Sequence, residues 1–151
     1  MRSAIVLTLA LLLAAKTAAA DTYYMVDLTK HAFMIAASSI RDIGPDKRAA
    51  EVHEVGFLQT QISKFEVNCA EREARVLSRA TYWLQSEMLK PKETGEGTGW
   101  LMLQHNPQIE RIYNFVCSWP KVDRDIEDAE FADDVAMVTS LSESILDMPA
   151  R

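Results

Sequence analysis

Along the chain the rhythm of apolar and polar positions changes several times, and each change marks a different kind of element. Ile5 to Ala15 is apolar apart from Thr8. From Tyr23 onward the apolar runs become short: Tyr23 to Leu28, Phe33 to Ile40, and a segment around Ala50 to Leu58. Such runs, rich in aromatic and β-branched residues and bounded by turn formers, read as strands. Gly44-Pro45-Asp46 lies between two of them and argues for an antiparallel hairpin. His53-Glu54 breaks the alternation of its second arm, which predicts a bulge there. Phe65-Glu66-Val67-Asn68-Cys69 alternates, with Phe65, Val67 and Cys69 on one face. In Ala74 to Trp83 the residues Val76, Ala80 and Tyr82 share a face, and Arg75 and Arg79 point the other way. Residues 70 to 85 also contain good helix formers, but the alternation favours a strand.

The second half is read differently. Residues 86 to 99 form a polar connection ending in Gly95-Glu96-Gly97-Thr98-Gly99, and Trp100 to Leu103 makes a short strand. Asn106-Pro107 is a helix start, with Asn as N-cap and Pro in the first helical position. Ile109, Ile112, Tyr113 and Val116 follow at helical spacing, so this short helix runs over about 107–117. After an acidic stretch from Asp123 to Asp134, the residues Phe131, Val135, Val138, Leu141, Ile145 and Met148 trace one helical stripe. Asp133, Ser140, Glu143 and Asp147 fall on the opposite face, which predicts an amphipathic C-terminal helix over about 128–147. The fold class expected from this pattern is α+β: an antiparallel sheet of about five to six strands with two helices.

The chain has 151 residues, the length of one ordinary domain. The first twenty read as a secretory signal, with Arg2 as the positive start, an 11-residue apolar run and Ala18-Ala19-Ala20 as the small-residue cleavage pattern. That run is shorter than the roughly 20 residues a membrane-spanning helix needs, and no later run is a better span. Residues 21–151 are then one domain, expected in the periplasm or secreted. No Cys follows the cleavage site, so a lipoprotein anchor has no attachment point. Setting aside Arg2 and Lys16 leaves 14 basic against 22 acidic side chains, a net charge of −8. A domain this acidic is excluded as a nucleic-acid binder, which needs clustered positive charge.

Export also changes the meaning of the two cysteines. In an oxidising compartment an isolated pair, Cys69 and Cys117, is expected to form one disulfide. The competing role, a reactive thiolate, needs an electropositive setting. Cys69 has Arg72 nearby but also Glu66, Glu71 and Glu73. Other chemistry finds little support. His31, His53 and His105 are far apart, and His53-Glu54 lacks the second His four residues on that a zinc-protease helix requires. The glycine-rich stretch lacks the Lys-Ser/Thr of a phosphate loop. Asp123 to Asp128 lacks the glycine and closing Glu of a calcium loop. No Ser stands in a Gly-x-Ser-x-Gly elbow. No cofactor or metal is therefore expected.

Arg72, Arg75 and Arg79 form the one local concentration of positive charge, and Trp83 lies further along. A solvated outer face balanced by Glu71 and Glu73 accounts for them. The functional alternative is a contact patch for an acidic or polar partner, because Arg and Trp are common interface anchors.

Several pieces together resemble the surface-adhesin protein E-like family of small exported bacterial proteins. They are Ser38-Ser39-Ile40-Arg41 in the hairpin, Phe65-Glu66-Val67-Asn68-Cys69 with the arginine-bearing stretch after it, and Thr98-Gly99-Trp100 leading to Asn106-Pro107 and Cys117. The resemblance spans about residues 24–119. It implies an antiparallel sheet carrying helices, a disulfide between Cys69 and Cys117, and a non-enzymatic binding protein. Adhesins of that family bind host matrix and serum proteins. This chain departs from them in lacking the anchor Cys and in interleaving its arginines with glutamates. Two alternatives stay open: a periplasmic thiol-dependent enzyme using Cys69 or Cys117, and a small-ligand carrier with a pocket between the sheet and the C-terminal helix.

Overall fold

A computed structural model describes residues 20–28, 30–85, 88–103, 106–123 and 125–146. Among these residues nine strands make one sheet: β1 Asp21–Leu28, β2 Ala32–Ala36, β3 Arg41–Gly44, β4 Lys47–Gly56, β5 Gln59–Asn68, β6 Glu73–Gln85, β7 Met88–Glu96, β8 Leu101–Met102 and β9 Glu127–Phe131. The helices are α1, Pro107–Ser118, and α2, Asp134–Leu146, with a 3-10 turn at Ala37–Ser39. Across the sheet the order is β7-β6-β5-β4-β2-β1-β9, with β3 added to β4 and β8 to β6. All pairings among the described residues are antiparallel.

The α+β class holds, but the sheet is wider than five or six strands. Two of the extra strands lie where charge hid them. β7 occupies the stretch read as a polar connection; as an edge strand it tolerates Pro91, Lys90, Lys92 and Glu93. β9 occupies the start of the predicted C-terminal helix and pairs with β1, Ala129 opposite Tyr23 and Phe131 opposite Asp21. The helix itself begins later, where the Asp133 carboxylate accepts a hydrogen bond from the Ala136 amide at 2.8 Å. Met148 and Asp147, read as parts of that helix, and His105 lie outside the described residues.

Each face of the sheet carries one helix. Strand alternation sends Phe33 and Ile35 to one side, where they join Val52, Phe65, Val67 and Val76 beneath Ile112, Phe115 and Val116 of α1. It sends Ala32, Met34 and Ala36 to the other, with Tyr23 and Val55 beneath Met137 and Val138 of α2. This two-sided burial corrects the bulge expected at His53-Glu54. β4 pairs in unbroken register with both β2 and β5 there, because His53 is a core residue of the α2 side, 2% exposed.

The bulge that matters is in β6. Lys64 pairs with Ser78, but Phe65 pairs with Val76, so Leu77 is the extra residue. The glycine-rich stretch closes over it. The Thr98 amide donates to Val76 O at 2.7 Å and the Val76 amide to Thr98 Oγ1 at 3.1 Å. Gly97 sits so close that a Cβ would lie 2.2 Å from Val76 O. This stretch is the seam between β7 and β8.

Candidate functional site

Cys69 and Cys117 are joined, with their Cα atoms 5.7 Å apart. The bridge ties the end of β5 to the last turn of α1, and three further contacts secure the same helix. The Asn106 side chain accepts from the Ile109 amide at 3.1 Å. Tyr113 Oη donates to Cys69 O at 2.8 Å. Arg48 Nη1 donates to Val116 O and Trp119 O, each at 2.7 Å, placing a cation at the negative end of the helix. Arg48 carried no sequence signal, since its target carbonyls lie about 70 residues away.

The structure separates the four residues read as one patch. Arg72 stands at the β5–β6 turn with φ 55°, its guanidinium over the Tyr113 ring at 5.8 Å and 3.8 Å from Glu110. Arg75 donates to Glu66 Oε2 from Nε at 2.9 Å and from Nη2 at 2.5 Å, and lies over the Trp100 ring at 4.6 Å. Arg79 lies on the opposite side of the sheet from Arg75. Even spacing puts the two on one face only in an uninterrupted strand, and the extra residue Leu77 shifts the alternation by one. For the same reason Val76 belongs to the α1 core, while Ala80 and Tyr82 pair with Ile62 and Thr60 on the α2 side. Trp83 is 41% exposed, with Lys92 Nζ 5.0 Å from its ring centroid.

Arg79 thereby enters a cleft beside the N-terminal half of α1. Its cavity is about 180 Å³, with Phe33, Val52, Phe65, Ile109 and Ile112 as the apolar part. Glu54, Gln61, Ser63, Asn106 and Gln108 supply the polar part. No described carboxylate lies within ion-pair distance of Arg79, whereas Arg48, Arg72, Arg75 and Arg111 are all paired. A free guanidinium above an apolar floor can fork onto a carboxylate or peptide carbonyls while an apolar side chain fills the cavity.

A second cluster is buried under α2. Tyr23 Oη donates to Asp134 Oδ1 at 2.6 Å, and His53 Nε2 lies 3.8 Å from that same oxygen. Burial, then the hydrogen bond to Asp134, pushes the Tyr23 phenol above its ordinary value. His53 Nδ1 and Thr60 Oγ1 are buried without a hydrogen-bond partner among the described residues. Burial drives His53 below 6.5, outweighing the opposing pull of Asp134, Glu51 and Asp21. The unfolded chain therefore takes up a proton at higher pH than the folded one. Stability should be full above about pH 6.5 and fall as the pH drops toward the folded value. Urea unfolding at about pH 7.5 and about pH 5 should show this loss, and His53→Gln should shrink it; an equal loss in both proteins would place the sensitivity elsewhere.

Among the described residues, no group of three or more His, Cys, Asp and Glu side chains could hold a metal ion. No described helix is long and apolar enough to cross a membrane. Comparison with protein-family models, with curated proteins and with solved structures finds no match to this chain.

Proposed function

We propose that this protein is an exported, non-enzymatic binding module that takes a protein partner into the cleft beside α1, with Arg79 as the anchor. The observation that carries the reading is the guanidinium with no described ion-pair partner at an open cavity lined by apolar side chains and by Glu54, Gln61, Ser63, Asn106 and Gln108, the arrangement of an interface hot spot. The disulfide supports an oxidising destination, and the resemblance to adhesin E-like proteins points the same way. Pairing of Cys69 with Cys117 leaves no free thiol among the described residues, which weighs against a thiol enzyme. Met137, Val138 and Ser142 are buried against the sheet, which weighs against a carrier pocket there.

Affinity capture from the native compartment under non-reducing conditions tests this reading. Wild-type protein should retain a partner, and Arg79→Glu should reduce its recovery by about fivefold or more, with an unchanged unfolding midpoint. Equal recovery by the two proteins would remove Arg79 and its cleft from the function.

A further inference from the structure

Eight large apolar side chains are exposed among the described residues, and five of them gather at one end of the sheet: Leu28, Phe57, Leu58, Trp83 and Met88. Pairing fixes this placement. Leu28 precedes the β1–β2 turn, Phe57 and Leu58 form the β4–β5 turn, and Met88 opens β7 opposite Gln85. Trp83 lies opposite Gln59, the residue after that β4–β5 turn. Scattered apolar residues on a surface need no explanation, but a cluster does.

The β4–β5 turn also opposes local preference. Leu58 has φ 52°, a left-handed conformation that Gly, Asn or Asp adopt more readily, and tight hairpins favour those residues. Here the turn consists of Phe57, 51% exposed, and Leu58, 39% exposed. The tip is firmly held, because the Leu58 amide donates to Ser142 Oγ at 3.2 Å and Leu58 O accepts from the Leu84 amide at 2.9 Å. The backbone is fixed by the protein while the apolar side chains face outward, a local conflict of the kind found at functional surfaces.

Charge identifies the occupant. Lys30 in the β1–β2 turn and Lys90 and Lys92 on β7 are exposed, with no described carboxylate within ion-pair distance. Among the described acidic groups nearby, Asp27 is engaged by Arg111 and Glu54 by His31 at 2.7 Å, and Glu93 stands beside Lys92 on β7. Gly56 and Gln59, on either side of the Phe57–Leu58 turn, line a polar cleft of about 220 Å³ together with Lys92, while Phe57 and Leu58 themselves are exposed. Projecting apolar side chains, a Trp and flanking lysines match a lipid interface with anionic headgroups.

We infer that this end of the sheet docks on an anionic phospholipid surface, Phe57 and Leu58 entering the headgroup region and Lys30, Lys90 and Lys92 meeting the phosphates. The net charge of −8 on residues 21–151 repels the rest of the domain from such a surface and so orients this end toward it. The inference stands apart from the Arg79 cleft, and its test leaves that cleft intact.

Co-sedimentation with vesicles should use the chain from Asp21 onward, which carries every described strand and helix, so that the apolar run before it plays no part. Binding should be at least about tenfold stronger to vesicles of phosphatidylcholine with one-quarter phosphatidylglycerol than to phosphatidylcholine alone, each lysine contributing about fivefold. Phe57→Ser with Leu58→Asn should abolish it and leave the unfolding midpoint unchanged or raised, since Asn accepts the left-handed turn. Lys90→Glu with Lys92→Glu should remove the preference for phosphatidylglycerol. Failure to sediment with either vesicle, or undiminished binding by the turn variant, overturns the inference. So does concentration-dependent self-association that the turn variant removes without any vesicle binding, because the occupant is then a second copy.

Discussion

Replacing Cys69 and Cys117 with Ser is expected to lower the unfolding free energy by about 4 kcal/mol, because the bridge closes a loop of 48 residues in the unfolded chain. For a domain of this size that corresponds to a fall of roughly 15 °C in Tm. The fold itself should persist. α1 remains attached through Arg48 at its last carbonyls, through Tyr113 Oη to Cys69 O, and through the packing of Ile112, Phe115 and Val116. Urea unfolding with and without reductant, compared with the double-Ser variant, measures the effect. Reductant should reproduce the variant in the wild-type protein and change nothing in the variant. A loss under about 1 kcal/mol would mean that the unfolded ensemble already keeps these segments close, so that the bridge removes little entropy.

That bridge was legible because it needed only a count and a compartment. α1 was legible for a related reason: Asn106, Pro107 and the apolar spacing after them are local signals that agree with one another. β6 was recognisable as a strand from alternation alone, despite its helix-forming composition. Legibility failed where the deciding partner is distant. β7 and β9 are edge strands whose charged side chains suit solvent, so they carry no apolar pattern and depend on Leu84 opposite Leu89 and Tyr23 opposite Ala129. His53 looked like a defect because alternation was judged for one buried face, whereas β4 is covered on both. For the site, the arginines are legible in the sequence and their grouping is not. A bulge adds one residue without a compositional mark, and Leu77 is as ordinary in sequence as its neighbours.

Arg75→Glu and Arg79→Glu make the same change in charge four residues apart on one strand, and their effects should differ widely. Arg75 holds a Glu66 side chain that is 8% exposed, with Lys47 next nearest at 3.8 Å. Reversing Arg75 leaves that carboxylate facing a second one and takes from the Trp100 ring the nearer of its two cations, leaving Lys47 at 5.5 Å. Breaking a buried pair costs roughly 3–5 kcal/mol. Arg75 is itself 36% exposed, so solvent screening brings the expected loss to about 2–3 kcal/mol. Arg79 is exposed and unpaired, and its reversal should alter stability by no more than about 0.5 kcal/mol. Urea unfolding of the two single variants measures the difference, and Arg75→Met with Glu66→Met should recover most of what Arg75→Glu loses, since an apolar pair replaces the ionic one. Equal losses in the two reversals would mean that the Leu77 bulge does not separate the arginines. A functional defect in Arg75→Glu would then report on the same surface as one in Arg79→Glu. With unequal losses, only Arg79→Glu probes binding, because only there does the charge change leave the fold intact.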